Sequence, residues 1–273
     1  MNNYLFTFSA AILYFVCSAL LFLNLRQSLN KSTEKEFFLS NKIILLIGSF
    51  ALIFHCLALY VSLVNPLGIN LGFYNALSLV SAFIVLFTLI ATWRHPIEIL
   101  AVAIMPLAVI TMILDITNAS NHLLAPDSSS ALIFHILSSM VAYSLLALAA
   151  LQAILLSIQN KFLHAHQPGG LIKLMPPLKS MERLLFEVIV IGFIALTVSL
   201  FSGLIFLENM FAQQLVHKTV LSIFAWLVFL ILLIGHWKLG WRGRIATRWT
   251  LGGFISLMLA YFGSKFVLEV LLS

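Results

Sequence analysis

The sequence predicts an all-α protein, a polytopic bundle of about eight transmembrane helices with both termini outside. Three observations carry that prediction. Hydrophobic residues make up 62% of the 273-residue chain and charged residues only 9%, with a mean hydropathy of +1.09. A soluble domain is roughly a quarter charged, so this chain could not cover a water-facing surface. The apolar residues fall into eight runs: 4–24, 43–64, 72–92, 97–115, 131–158, 184–206, 218–238 and 249–271. Each is near the ~20 residues that cross ~30 Å of hydrocarbon at a rise of about 1.5 Å. The basic residues follow alternate runs. No polar segment is large enough to fold by itself, so residues 1–273 read as a single integral membrane domain.

The first run has no basic stretch before it and no small-residue cleavage site after it, so it reads as a retained anchor. Cys17 follows Phe15-Val16, which lacks the small residue a lipoprotein site requires. The second run carries His55 and Cys56, whose adjacency points them to different helix faces. The third starts at Gly72 and ends before Arg94. The fourth follows Pro96, places Glu98 in its first turn, where the helix dipole favours a carboxylate, and is interrupted by Pro106. The fifth carries His135. Arg183 and Glu187 open the sixth with the four-residue spacing that allows pairing along one face. The seventh has His217 at its mouth and His236 near its end, and the joint Gly240-Trp241-Arg242-Gly243-Arg244 leads to the eighth. Gly72, Gly192, Gly203, Gly252, Gly253 and Gly263 suit close helix contacts in lipid. Cys17 and Cys56 read as small buried hydrophobes, and without a CxxC motif thiol–disulfide exchange is not expected.

Orientation follows from the positive-inside rule. Arg26, Lys31, Lys35 and Lys42 lie after the first run, and Arg94 after the third. Lys161, Lys173, Lys179 and Arg183 follow the fifth; Lys238, Arg242, Arg244 and Arg248 follow the seventh. Only Lys218 and Lys265 fall on the other side. The net charge of +6 therefore belongs to membrane topology, and nucleic acid is not an expected partner. The joint over 159–183, with His164, His166 and Pro168-Gly169-Gly170, reads as a solvated loop.

The sequence holds no Walker loop, GxGxxG, GxSxG or HExxH. What remains is a set of histidines: His55, His135 and His236 inside apolar runs, and His217 at the mouth of one. Intramembrane ionisable groups are costly and functional by default. Imidazole serves zinc, copper, iron and haem alike. Zinc or copper transport would add acidic or sulfur ligands at helical spacing, and no HxxxD or MxxxM accompanies these histidines. Haem needs two imidazoles and an apolar wall, which 23 Phe and 5 Trp supply.

Over about 135–266 the chain resembles the cytochrome c assembly membrane proteins of the CcsA, CcmC and HemX type, and among them an eight-span subgroup. The resemblance lies in Phe134-His135 followed by Met140-Val141-Ala142-Tyr143-Ser144, where a tyrosine follows the histidine by eight. It continues through Met181-Glu182-Arg183-Leu184, Ile191-Gly192-Phe193, Leu196-Thr197 and Ser202-Gly203. Trp226, His236, Gly240-Trp241-Arg242-Gly243-Arg244 and Tyr261-Phe262-Gly263 match the last two helices. The resemblance implies haem handling in a bacterial inner membrane. His135 matches an outer-face haem ligand, and His55 with His236 matches a pair that holds haem b within the membrane. The family's tryptophan-rich segment falls at 207–218 and contains no tryptophan here, which implies haem binding without haem attachment, so no enzyme activity is expected. An outer pair of His135 with His217 would replace the ligand expected after the last helix. Arg242 and Arg244 can meet haem propionates or simply anchor the joint at the membrane surface. Expected partners are the lipid bilayer and other cytochrome c assembly proteins or another membrane complex. Two further classes stay open, a regulatory or assembly subunit and a small-molecule permease. Against the permease, the runs lack the paired, Gly/Pro-broken helices of inverted-repeat transporters.

Overall fold

The computed structural model describes residues 2–29, 39–66, 68–118, 123–124, 129–164, 174–206 and 216–263. Its helices are α1 (Asn2–Leu29), α2 (Asn41–Leu63), α3 (Phe73–Arg94), α4 (Glu98–Thr117), α5 (Ser130–His164), α6 (Leu178–Phe206), α7 (Val216–Leu239) and α8 (Gly243–Met258), the last continued by a π turn over Leu259–Gly263. Eight segments are long and apolar enough to cross a membrane. The fold class is as the sequence predicts, but several ends differ. α5 runs to His164 and α6 starts at Leu178, so part of the expected 159–183 loop is helix. α8 begins at Gly243, six residues before the apolar run. His166, the 207–215 stretch and the end of the eighth run lie outside the described residues.

The chain divides into two compact units, 1–126 with 167–176, and 127–166 with 177–273. In the first, α1 to α4 pack as antiparallel neighbours. Asn24 Nδ2 donates to Asn41 Oδ1 (3.0 Å), and Asn41 Nδ2 donates to Glu98 Oε1 (3.1 Å), tying α1, α2 and α4 at one end. Arg183 and Glu187 in the second unit form the expected pair at 2.9 Å on an exposed face.

Pro106 does not break α4, which is continuous from Glu98 to Thr117. Proline removes the N–H that would bond the carbonyl four residues back, here Val102. Ser18 Oγ of α1 donates to that carbonyl at 3.0 Å. A neighbouring hydroxyl thus satisfies the freed group, as lipid requires.

A small antiparallel sheet caps the first unit, with β1 (Val64–Asn65), β2 (Gly68–Asn70) and β3 (Leu123–Leu124) in the order β1-β2-β3. Gly68 takes φ 131°, a turn conformation that favours glycine. The sequence reading did not anticipate these strands.

In the second unit α5 and α6 form an antiparallel pair, joined by Ser139 Oγ to Ser199 Oγ (2.6 Å) and Gln152 Nε2 to Met181 O (3.3 Å). Trp226 Nε1 of α7 donates to Thr197 Oγ1 of α6 (2.9 Å), and Ser256 Oγ of α8 donates to Leu221 O (2.9 Å). Small residues admit the close approaches that hold helices together in lipid. A Cβ on Gly192 would lie 2.8 Å from Leu146 Cδ2, and one on Gly253 would lie 2.8 Å from Phe229 Cε2. The same expectation fails at Gly252, where a Cβ would meet nothing within 4 Å, and at Gly263, which faces only its own turn. Cys17 is buried with its Sγ 3.2 Å from Ile44 O, whereas Cys56 is exposed, which corrects its reading as a buried thiol.

Candidate functional site

His55 stands in the middle of α2 and is fully buried. Its Nδ1 is 3.3 Å from the Tyr14 hydroxyl of α1, and its Nε2 is 3.1 Å from Ser78 Oγ of α3. The Tyr14 ring meets the imidazole edge-on, with centroids 5.9 Å apart. Both partners are hydroxyls, which donate or accept, so either tautomer fits. Coordination of a metal by this ring requires one of the two hydroxyls to let go. Cys56, the next residue, faces outward, as adjacency on a helix dictates.

His135 lies in the second turn of α5 and is half-buried. Its Nδ1 is 3.0 Å from Ser199 O and 3.1 Å from Ser202 Oγ, both on α6. A carbonyl only accepts, so Nδ1 carries the hydrogen and Nε2 the lone pair. Ser138 and Ser139 bond back to the histidine's own carbonyl at 3.0 and 2.6 Å, giving this end of α5 a serine-lined face.

His236 sits in the last turn of α7, half-buried. Its ring stacks on Phe186 of α6 with centroids 3.5 Å apart and planes 14° apart. Its Nδ1 donates to Trp241 O at 3.0 Å, so Nε2 again keeps the lone pair. The loop that brings this carbonyl back is built by two glycines with positive φ, Gly240 at 67° and Gly243 at 54°. Trp241 N donates to Gly235 O (3.1 Å), and Glu182 Oε1 accepts from Gly243 N (2.9 Å) at the start of α8. That carboxylate at a helix N-terminus is favoured by the dipole. The Trp241 ring covers Gly235 and lies 5.4 Å from the Trp249 ring. Arg242 and Arg244, expected to anchor this joint, are exposed and have no side-chain partner among the described residues. Within the protein, Trp241 and Glu182 make the contacts that hold the joint.

His217 is exposed in the first turn of α7. The pairings Ser199–His135, Thr197–Trp226 and Phe186–His236 set the helix register of the second unit. His135 is level with about residue 222 of α7. His236 is then ~21 Å deeper, and His217 ~7 Å further out, at about 1.5 Å per residue. His135 and His236 therefore do not share one metal ion. Tyr143, two turns beyond His135, packs in an aromatic cluster with Phe254 (5.4 Å) and Phe262 (5.1 Å).

The donor set fits haem iron. Metal-ligating histidines characteristically donate the second ring N–H to a carbonyl or carboxylate, which fixes tautomer and orientation. His135 and His236 are held in that way, and neither Nε2 has a hydrogen-bond partner among the described residues. Sequence reasoning found the histidines but gave no role beside them to Ser199, Ser202, Phe186, Glu182, Tyr14 or Ser78. The legible signal was Ser199 and Ser202, three apart on one face of a nearly uncharged helix.

A family model described as "Cytochrome C assembly protein" matches residues 43–272. The inner membrane protein YpjD of Escherichia coli strain K12 is 34% identical over 228 residues, covering 81% of this chain and 84% of that protein. An uncharacterized 28.8 kDa protein from a nifR3-like 5' region of Azospirillum brasilense is 34% identical over 140 residues, covering 50% of this chain and 52% of that protein. No solved structure matches. The match begins at α2, so it reaches well beyond the half of the chain that carries the motifs.

Proposed function

The chain belongs to the cytochrome c assembly protein family, and we propose that this multi-pass inner-membrane protein binds haem b through histidine imidazoles without attaching it to a protein substrate. The observation that carries the reading is the shared state of His135 and His236, each with Nδ1–H given to a main-chain carbonyl and Nε2 left with its lone pair. Haem, when bound, supplies an iron that cycles between ferrous and ferric states. His236 and His135 would each offer an imidazole to haem iron, at separate depths of the second unit, and His55 and His217 are further candidate ligands. The Phe186 face packed on His236 excludes water from the ring and restricts its rotation. Arg242 and Arg244 flank the α7–α8 joint, where a guanidinium fork can take a propionate carboxylate. The tryptophan-free 207–218 segment supports binding without attachment. The distribution of basic residues over the loops supports an orientation with both termini outside.

The test is the absorption spectrum of protein purified in detergent, recorded oxidised and reduced. Sharp reduced bands of low-spin, bis-imidazole haem b are expected. His236→Ala or His135→Ala should each remove haem, while His55→Ala or His217→Ala should turn the remaining spectrum high-spin wherever that residue is the second ligand. Changing Arg242 and Arg244 together to lysine keeps the charge and removes the fork, so lower haem content assigns them to propionates. Wild-type spectra in both His236→Ala and His135→Ala would overturn the proposal.

A further inference from the structure

The first unit sets one carboxylate apart from every other charged side chain among its described residues. Among the described residues of α1 to α4 the other charged groups are Arg26, Lys42, Arg94 and Glu98, all at one end of this antiparallel set. Asp115 lies at the opposite end, two residues before the last residue of α4. Facing it are Ser62 from α2 and Asn75 from α3, the latter buried. The third neighbour, α1, brings only Tyr4 and Thr7 to that level, taking its register from Ser18 against Val102.

The hydrogens around Ser62 do not suffice for an ionised Asp115. Ser62 Oγ is 3.4 and 3.2 Å from the two Asp115 oxygens and 3.2 Å from Asn75 Oδ1. The Asn75 amide cannot be turned round, because its Nδ2 already reaches Asn70 O (3.0 Å) and Ser62 O (3.5 Å). A hydroxyl has one hydrogen to donate. With Asp115 ionised, that hydrogen serves either the half-buried carboxylate or the Oδ1 of buried Asn75 and leaves the other facing a lone pair, and unmatched acceptors become costly as they are buried. One added proton closes the chain: Asp115 donates to Ser62, Ser62 to Asn75 Oδ1, and Asn75 Nδ2 to Asn70 O.

We propose that Asp115, Ser62 and Asn75 form a proton-binding site within the membrane, with the proton carried by Asp115. The site opens a polar seam that ends on His55. Asn75 and Ser78 are one turn apart on α3, and Thr111 and Asp115 one turn apart on α4. Ser81 Oγ bridges the two helices, 2.6 Å from Thr111 Oγ1 and donating to Ser78 O at 2.8 Å, while Ser78 Oγ meets His55 Nε2. The stored proton thus lies in the same hydroxyl-lined interior as the most deeply buried imidazole. This inference does not depend on haem.

Infrared spectroscopy of the detergent-purified protein at neutral pH tests it, with or without haem present. The wild type should show one carboxylic-acid carbonyl band above the amide region, shifted downward in D2O. Asp115→Asn should abolish the band. Ser62→Ala removes the hydrogen-bond acceptor of the acid and should move the band to higher frequency, a readout that stands if Asp115→Asn does not fold. Absence of the band in wild-type protein, its persistence in Asp115→Asn, or an unmoved band in Ser62→Ala would each overturn the proposal. A band that appears only after treatment with a chelator would overturn it in favour of a bound cation.

Discussion

Replacing Gly235 by alanine should disable His236 without touching it. A Cβ at this position would overlap the Trp241 indole and lie 2.9 Å from its Cζ3. The indole cannot swing away freely, because Trp241 N is bonded to Gly235 O and Trp241 O receives the His236 Nδ1–H at 3.0 Å. Relieving the overlap moves the residue that fixes the histidine tautomer. Overpacking of this kind costs about 1–3 kcal/mol. Loss of a group that orients a metal ligand lowers affinity by about 10–100-fold, equivalent to ~1.4–2.7 kcal/mol at about 1.36 kcal/mol per tenfold. Haemin titration of detergent-purified apoprotein reads the affinity, and tryptophan fluorescence on heating reads the stability, since Trp241 and Trp249 adjoin. Gly252→Ala is the control: its Cβ meets nothing within 4 Å, and alanine should gain the ~1 kcal/mol helix preference over glycine. If Gly235→Ala binds haemin and melts as the wild type does, the Trp241 carbonyl does not hold His236 in a ligating state.

Two further outcomes are expected. Ser18→Ala should destabilise the protein by about 0.6–1.7 kcal/mol, the range for interhelical hydrogen bonds in lipid, and the loss should shrink in a Pro106→Ala background, where Val102 O regains its helical donor; equal losses in both backgrounds, measured by thermal unfolding in detergent, would refute the pairing. A reporter fused after residue 273 should be active only in its periplasmic form, and cytoplasmic activity would reverse the orientation read from the basic loops.

The helices were legible because apolar length is a direct requirement of the bilayer. Their ends were not, wherever a helix runs on past the apolar region. At the start of α8, Ala246 and Thr247 are buried while Arg244 and Arg248 are exposed. That one-turn periodicity marks a helix that hydropathy alone passes over. The same reason explains α5, which continues through Gln159, Asn160 and Lys161. Pro106 misled in the opposite direction, since the sequence shows the missing N–H but not the serine on another helix that compensates for it. The histidines themselves stood out, but the hydrogen-bond partners of His55 and His135 lie 23 to 67 residues away, a separation that no local pattern encodes, whereas His236 bonds to Trp241 O only five residues on. Asp115 carried a visible signal, a carboxylate inside an apolar run, that the sequence reading passed over.

What distinguishes one imidazole from another here is the chemistry of its partner rather than its own depth. A main-chain carbonyl can only accept, so it locks His135 and His236 into one tautomer and leaves a fixed lone pair on Nε2. Hydroxyls reverse their roles, so Tyr14 and Ser78 allow His55 to take up hydrogen at one nitrogen as it gives it up at the other. The first arrangement suits a static metal ligand; the second suits a group that exchanges protons. The hydroxyl seam from Asp115 to Ser78 leads to the second kind of histidine and to no other among the described residues of its unit. If His55 also serves as a haem ligand through Nε2, it must first release Ser78, and ligation would then be coupled to a hydrogen-bond rearrangement in that seam.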